Sequence, residues 1–164
     1  MLEKRVTLIA SFALIAVIVV GVIFLAGRSD LDKVRAATRN FKDVLAAEAA
    51  GYFNVNVGDC VESPNGVMGY HFVKEDLVDL ELSAESPEIL VYAPEKNGSL
   101  KLVAVEYAVP IEPWDAQMEG LPSVLGQELH ANPELGLYVL HGWVWEANPS
   151  GVFEDWNPSL SCLG

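Results

Sequence analysis

Hydrophobic residues follow three different patterns along this chain. Residues 6–27 form an uninterrupted apolar run without a charge, rich in Ile, Val, Leu, Phe and Ala. Residues 31–50 carry apolar side chains at three- and four-residue steps, and from Tyr52 onward short apolar runs alternate with Gly, Pro, Asn and Asp. These patterns predict, in order, a membrane-length segment, one amphipathic helix and a β-rich domain.

The apolar run predicts a transmembrane anchor, because about 20 apolar residues span a bilayer as a helix. It has no clear A-x-A motif and no cysteine directly after it, which favours an uncleaved anchor over a cleaved signal peptide. Secretion after cleavage is the alternative. Lys4 and Arg5 before the run favour a cytoplasmic N-terminus, whereas five basic residues after it oppose that orientation: Arg28, Lys33, Arg35, Arg39 and Lys42.

The two cysteines favour an extracytoplasmic location for the rest of the chain. Cys60 and Cys162 lie near the two ends of the β-rich part, as expected for a disulfide, and disulfides persist mainly in oxidising compartments. Two unpaired buried thiols are the alternative. We therefore expect residues 1–28 to form the anchor or signal segment. Residues 29–164 are expected to form one domain outside the cytoplasm, attached to the cell membrane by a single pass.

The segment from residue 31 to residue 50 predicts a single helix. Ser29-Asp30-Leu31-Asp32 has the form of a capping box, and Gly51 supplies a C-cap. A solvated spacer helix that packs on nothing is the alternative. The residues expected on its buried face are Val34, Ala37, Phe41, Val44 and Leu45.

The remaining residues predict an α+β fold with a mostly antiparallel sheet or a small barrel, closed by Cys60–Cys162. Strands are expected at residues 69–73, 88–93, 100–109 and 137–146, and residues 114–122 are expected to form an irregular connection. Asn97-Gly98 predicts a tight hairpin turn between the second and third of these strands.

The domain is strongly acidic, which limits its partners. The whole chain has a net charge of −13, and from Asp43 onward 20 acidic residues face only Lys74, Lys96 and Lys101. Such a surface repels nucleic-acid phosphates and anionic lipid headgroups, so we expect membrane association through the N-terminal helix alone. The small-molecule or protein partner stays open.

Three histidines and one carboxylate are the candidates for chemistry. His71, His130 and His141 are far apart in sequence, and imidazole is the commonest metal-ligating side chain. Glu106 lies in a strand that is apolar on both faces, where a carboxylate needs a partner. Strand periodicity places Glu106 with Leu102, Ala104 and Ala108, and His141 with Leu137, Val139, Trp143 and Trp145.

These four residues predict a metal site for a divalent transition metal, Zn²⁺ or Cu²⁺ first, with Mn²⁺ and Fe²⁺ as further options. No short ligand spacing such as H-x-H or H-E-x-x-H supports it. Separate hydrogen bonds for each histidine, and a salt bridge of Glu106 to Lys101, Arg35 or Arg39, are the alternatives. Without a cation beside it, buried Glu106 should have a raised pKa. The sequence identifies no reaction, so enzymatic activity stays open.

The C-terminal residues 148–158 suggest a second function. Two Asn-Pro steps, a glycine and two aromatic residues predict an ordered loop. A carbohydrate- or protein-binding aromatic surface is one interpretation, and a loop that returns Cys162 to Cys60 is the other. The surface would consist of Trp143, Trp145, Phe153 and Trp156.

Several segments together resemble a group of small exported bacterial proteins of unknown function. They include Met68-Gly69-Tyr70-His71-Phe72, Val105-Glu106-Tyr107, the stretch from Gly126 to His130, and Leu140-His141 with Trp143. Asn148-Pro149-Ser150-Gly151 through Asn157-Pro158, with Cys162, completes the pattern. The resemblance covers most of residues 31–162 and implies export, but no activity.

Overall fold

The computed structural model describes residues 30–55 and 59–164. The predicted anchor at residues 6–27 and Ser29 of the predicted capping box lie outside these residues. In the part of the chain that is described, no helix combines the length and the apolar character needed to cross a bilayer.

The prediction of one helix over residues 31–50 is wrong, because the segment breaks at Asp43. Residues 30–38 form α1, a 3-10 turn follows at Arg39–Lys42, and α2 covers Val44–Ala49. Asp43 has an extended backbone, and its side chain caps α2 by accepting the Leu45 N–H at 3.0 Å. Leu45, predicted to be buried, is consequently 72% exposed.

The two helices nevertheless pack on the domain, so they are not a solvated spacer. Val34 and Ala47 are fully buried, and Phe41 and Val44 pack against the same core. Gly51 ends α2 as predicted, with φ of 93°. The N–H groups of Gly51 and Tyr52 bond back to Glu48 and Ala47, the double closure that a left-handed glycine permits.

The predicted α+β class with a mostly antiparallel sheet is confirmed. A seven-stranded sheet consists of β1 (Phe53–Asn54), β2 (Val61–Ser63), β3 (Gly66–Val73), β4 (Ile89–Pro94), β5 (Leu100–Pro110), β8 (His130–Asn132) and β9 (Leu137–Gly142). Its order is β1, β3, β4, β5, β9, β8, with β2 also paired to β3. Between β5 and β9 lie α3 (Ile111–Gln117) and a small hairpin of β6 (Ser123–Val124) and β7 (Gln127–Glu128). A 3-10 turn, Glu75–Leu77, follows β3.

The prediction of an irregular connection at residues 114–122 is wrong at its start, because Trp114 lies within α3.

The predicted β4–β5 hairpin is confirmed, with Pro94 opposite Leu100 and Gly98 in the turn at φ of 84°. Its register shifts at a bulge, where Val91 pairs with Ala104 and Tyr92 pairs with Leu102. A bulge inserts one residue and reverses the alternation of faces. Strict alternation predicted that Leu102 shares a face with Ala104 and Glu106. The bulge makes this prediction wrong, because it places Leu102 on the other face.

Strand β9 is shorter than predicted, because it ends at Gly142. The N–H of Val144 bonds back to Gly142, and the N–H of Trp145 bonds to Val103. The alternation therefore stops before Trp145. Trp143 packs beside Val139 on one face of the sheet, whereas Trp145 packs against the core on the other.

The sheet thus carries a core on each side. The helix face includes Leu90, Tyr92, Val105, Tyr107 and Leu140, and α1 and α2 cover it. The opposite face has smaller residues, and Leu160 of the C-terminal segment packs against it. Its buried members are Ile89, Val91, Ala93, Val103, Ala104, Ala108, Val139 and Trp143.

The C-terminal segment is fixed to β3 by Asn157 and to β2 by the disulfide. The backbones of Asn157 and Val67 exchange hydrogen bonds of 3.0 and 3.1 Å, and the buried Asn157 amide donates to Ala147. Gly66 permits this contact, since a Cβ there would lie 2.6 Å from the Asn157 backbone. The predicted Cys60–Cys162 disulfide is confirmed, with Cα atoms 5.7 Å apart.

Candidate metal centre

Strand register places three of the four predicted ligands, His71, Glu106 and His141, on the face of the sheet that points away from α1 and α2. Directly paired residues of antiparallel strands point to the same side. Ile89 pairs with Glu106, and Glu106 pairs with His141, which makes one row across β4, β5 and β9. His71 pairs with Val91, in the neighbouring row of the same face. The small side chain of Ala104, opposite Val91, leaves room beside Glu106.

The side chains of His71, Glu106 and His141 converge above this face. One ligand atom from each lies within 4.8 Å of the other two. His71 Nε2 is 3.5 Å from Glu106 Oε2, and His141 Nδ1 is 3.5 Å from Glu106 Oε1. The imidazole rings lie edge to face, with centroids 5.7 Å apart. Trp143 stacks on the far side of His141 at 6.0 Å.

These separations suit metal ligation better than hydrogen bonding. N–H···O hydrogen bonds are typically 2.7–3.2 Å, which is about 0.3 Å or more below the 3.5 Å contacts. Two ligands at about 2.0–2.2 Å from one tetrahedral ion lie roughly 3.3–3.6 Å apart. Both nitrogens of His141 are buried without a hydrogen-bond partner, and Nδ1, the nitrogen that faces Glu106, is one of them. Buried polar atoms left unpaired are uncommon and call for a missing ligand.

The alternative salt bridges of Glu106 are not formed. Lys101 pairs with Glu146, and Arg35 binds Asp32 and the Val144 carbonyl. Arg39 lies in the helical layer on the other side of the sheet. Burial, with smaller contributions from the negative charges of Asp155 and Glu88, raises the pKa of Glu106 to about 8. At neutral pH the metal-free protein therefore holds a protonated Glu106.

The two histidines are uncharged at neutral pH. Burial lowers the pKa of His71 to about 4, and the backbone of Gly69 offsets only part of this effect. Burial also lowers the pKa of His141 well below its usual 6.5, with repulsion from His71 and His130 adding to it. Neutral imidazole is the form that binds metals, so both rings are ready to act as ligands.

The structure does not bring His130 into the group of three. His130 begins β8, and its side chain is 51% exposed. Its Nε2 lies 3.4 Å from Oδ2 of Asp155, whose Oδ1 lies 3.9 Å from His141 Nδ1. Asp155 therefore stands between His130 and the three buried residues, and sequence reasoning missed it.

Asp155 is positioned by hydrogen bonds on both sides of it in the C-terminal loop. Trp143 Nε1 donates to the Glu154 carbonyl at 2.6 Å, and Asn148 Nδ2 donates to the Trp156 carbonyl at 3.1 Å. The sequence predicted an ordered loop at residues 148–158, and these hydrogen bonds agree with that prediction. It did not indicate Asp155, because the contact with His141 joins residues that are far from adjacent in the sequence.

The prediction of a four-residue aromatic surface is wrong, because Trp143 is only 3% exposed. Trp145 is half-buried on the helix face, where its Nε1 donates to Thr38 and Lys42 lies 3.9 Å above its ring. Phe153 packs against that same core. Trp156 is half-buried, like Trp145 and Phe153. The four aromatic residues therefore form no contiguous exposed patch.

A second buried carboxylate, Glu88, gives a testable pH dependence. Burial raises the pKa of Glu88 to about 8 from its usual 4.5, although its Oε2 accepts the Ala108 N–H at 3.1 Å. The unfolded chain loses this proton first, so Glu88 lowers stability as pH rises from 4.5 through 8. Glu88→Gln keeps an acceptor for Ala108 and should gain stability relative to the unaltered chain over this range, in urea unfolding of metal-free protein.

The exposed Glu81 provides the matched control for this measurement. Glu81→Gln makes the same Glu-to-Gln change at a solvent-exposed position. The difference in stability between this variant and the unaltered chain should be the same at pH 4.5 and at pH 8. If the Glu88→Gln difference were equally flat, Glu88 would be charged in the folded protein.

No protein-family model, no curated protein and no solved structure matches the chain. The case for a function therefore depends on the geometry of the site itself.

Proposed function

We propose that this protein is an extracytoplasmic metal-binding protein that holds one divalent transition-metal ion through His71, Glu106 and His141. The observation that carries the proposal is a His/Glu/His group in which one nitrogen of each imidazole lies 3.5 Å from an oxygen of Glu106, a separation typical of two ligands of one metal ion. A metal ion would bind one nitrogen of each ring and the carboxylate, and it would give the unpaired Nδ1 of His141 a partner.

The donor set favours Zn²⁺ or Cu²⁺. Imidazole nitrogen suits both ions, and one carboxylate oxygen is compatible with either. Three protein ligands leave at least one coordination position open. An ion held in this way supplies a Lewis acid for hydrolysis or hydration, or a redox centre if the metal is copper or iron. His130 as a fourth ligand stays a prediction, since it requires the half-exposed side chain to move past Asp155.

The disulfide supports the proposed location. A Cys60–Cys162 bond fits an oxidising compartment, as does the resemblance to small exported bacterial proteins. We propose that residues 6–27 anchor the domain to the cell membrane, with residues 29–164 outside it. This arrangement leaves the metal centre on a domain that meets extracytoplasmic solutes.

Metal titration of the purified full-length chain in detergent tests the proposal. After chelation and dialysis, calorimetry with Zn²⁺ and with Cu²⁺, followed by elemental analysis, should give one tightly bound ion per chain. Because Glu106 must lose its proton, binding at a pH well below 8 should release about one proton per ion, and the number released should fall as the pH approaches 8. The release is measurable as a dependence of the heat on buffer ionisation. A chain that retains no metal would refute the proposal.

A further inference from the structure

The polar side chains in and beside the centre differ widely in exposure. The side chains of His141, Glu106 and His71 are 1%, 8% and 12% exposed. Those of Asp155 and His130 are 30% and 51% exposed. Asp155 and His130 are thus the solvent-exposed members of this group, and Asp155 is the one that contacts the buried His141.

Asp155 faces the centre with unused hydrogen-bonding capacity. Its Oδ1 is 3.9 Å from His141 and its Oδ2 is 3.4 Å from His130, and both distances exceed a hydrogen bond. Its backbone is held by the bonds to the neighbouring Glu154 and Trp156 carbonyls. The Asp155 backbone is thus held in place, and its carboxylate presents an acceptor beside His141 on the solvent-exposed side of the centre.

We propose that Asp155, positioned beside His130, selects the ligands that reach the open coordination position. It admits water and uncharged ligands that donate a hydrogen bond, and it repels small anions. This inference rests on the metal site proposed above. A divalent ion with one carboxylate ligand retains a net positive charge that attracts anions, and a carboxylate at contact distance opposes that attraction. The substrate class that fits is a neutral or cationic molecule with an N–H or O–H group.

The test compares azide and imidazole binding to the Co²⁺- or Cu²⁺-loaded full-length chain by visible absorption spectroscopy. Asp155→Asn retains the shape and an acceptor oxygen but removes the charge, and it should tighten azide binding by about tenfold or more. Imidazole binding should stay within about threefold. Glu154→Gln is the matched control, because it removes a charge from the adjacent, exposed residue and should change azide binding by less than about threefold.

Two results would overturn the inference while leaving the metal site intact. Azide affinity unchanged by Asp155→Asn would show that the carboxylate does not face the incoming ligand. An equal increase for azide and imidazole would show that the substitution merely widens access to the centre. A protein that binds no metal would overturn both this inference and the proposed function, so the two failures are distinguishable.

Discussion

Replacing His141 with Ala should weaken Zn²⁺ binding by roughly a hundredfold or more. Structural zinc sites gain about 10–16 kcal/mol from a full set of ligands, so one of four ligands accounts for about 2.5–4 kcal/mol. Each factor of ten in affinity corresponds to about 1.4 kcal/mol. His141 is completely buried between Glu106 and Trp143, and no described histidine is placed to substitute for it.

Competition with a chelator of known affinity measures this loss, and His130→Ala is its control. His130 is a histidine of the same face but outside the group of three, so its removal should cost no more than about tenfold. A loss as large as that of His141→Ala would instead make His130 the fourth ligand. Because His141→Ala also leaves a cavity, His141→Gln should be measured in parallel, with circular dichroism to verify folding. Wild-type affinity in folded His141→Gln would place the metal elsewhere.

Removing the disulfide should destabilise the domain by about 4–5 kcal/mol. Cys60 and Cys162 are 102 residues apart, and a bond that closes a loop of that size lowers the entropy of the unfolded chain by about that free-energy equivalent. The bond also fixes the C-terminal segment that carries Asp155, so metal binding should become weaker as well. Such a loss is a large part of the stability of an ordinary domain.

Urea unfolding of Cys60→Ser/Cys162→Ser against the unaltered chain measures this effect, with and without a reductant. The reductant should destabilise the unaltered chain to the level of the double variant and leave the double variant unchanged. A difference below about 1 kcal/mol would mean that the bond contributes little to the constraint on the unfolded chain.

The sequence was sufficient for features that depend on local patterns. Asn97-Gly98 correctly indicated the β4–β5 hairpin, and Gly51 correctly indicated the end of α2. The prediction of strand faces from alternating residues failed where a bulge or a turn interrupted the strand. The bulge near Val103 moved Leu102 to the other face, and the turn after Gly142 did the same for Trp145. The bulge has no composition that distinguishes it from a regular strand, whereas Gly142 is a residue that often marks a bend at the end of a strand.

The site could be predicted only as far as residue type allows. Histidine and buried glutamate are unusual enough in apolar strands that His71, His141 and Glu106 stood out without any spacing motif. Their convergence depends on the register of four strands, which no local pattern fixes. Asp155 could not be distinguished from the other acidic residues of this acidic chain, because its importance comes from where the C-terminal loop crosses the sheet.

Anomalous X-ray diffraction from crystals of the zinc-loaded protein, at wavelengths on both sides of the zinc absorption edge, tests the central claim most directly. We predict one strong peak within about 2.0–2.2 Å of a nitrogen of His71, a nitrogen of His141 and an oxygen of Glu106. A peak only at surface carboxylates, or no peak in crystals containing the ion, would contradict the metal centre.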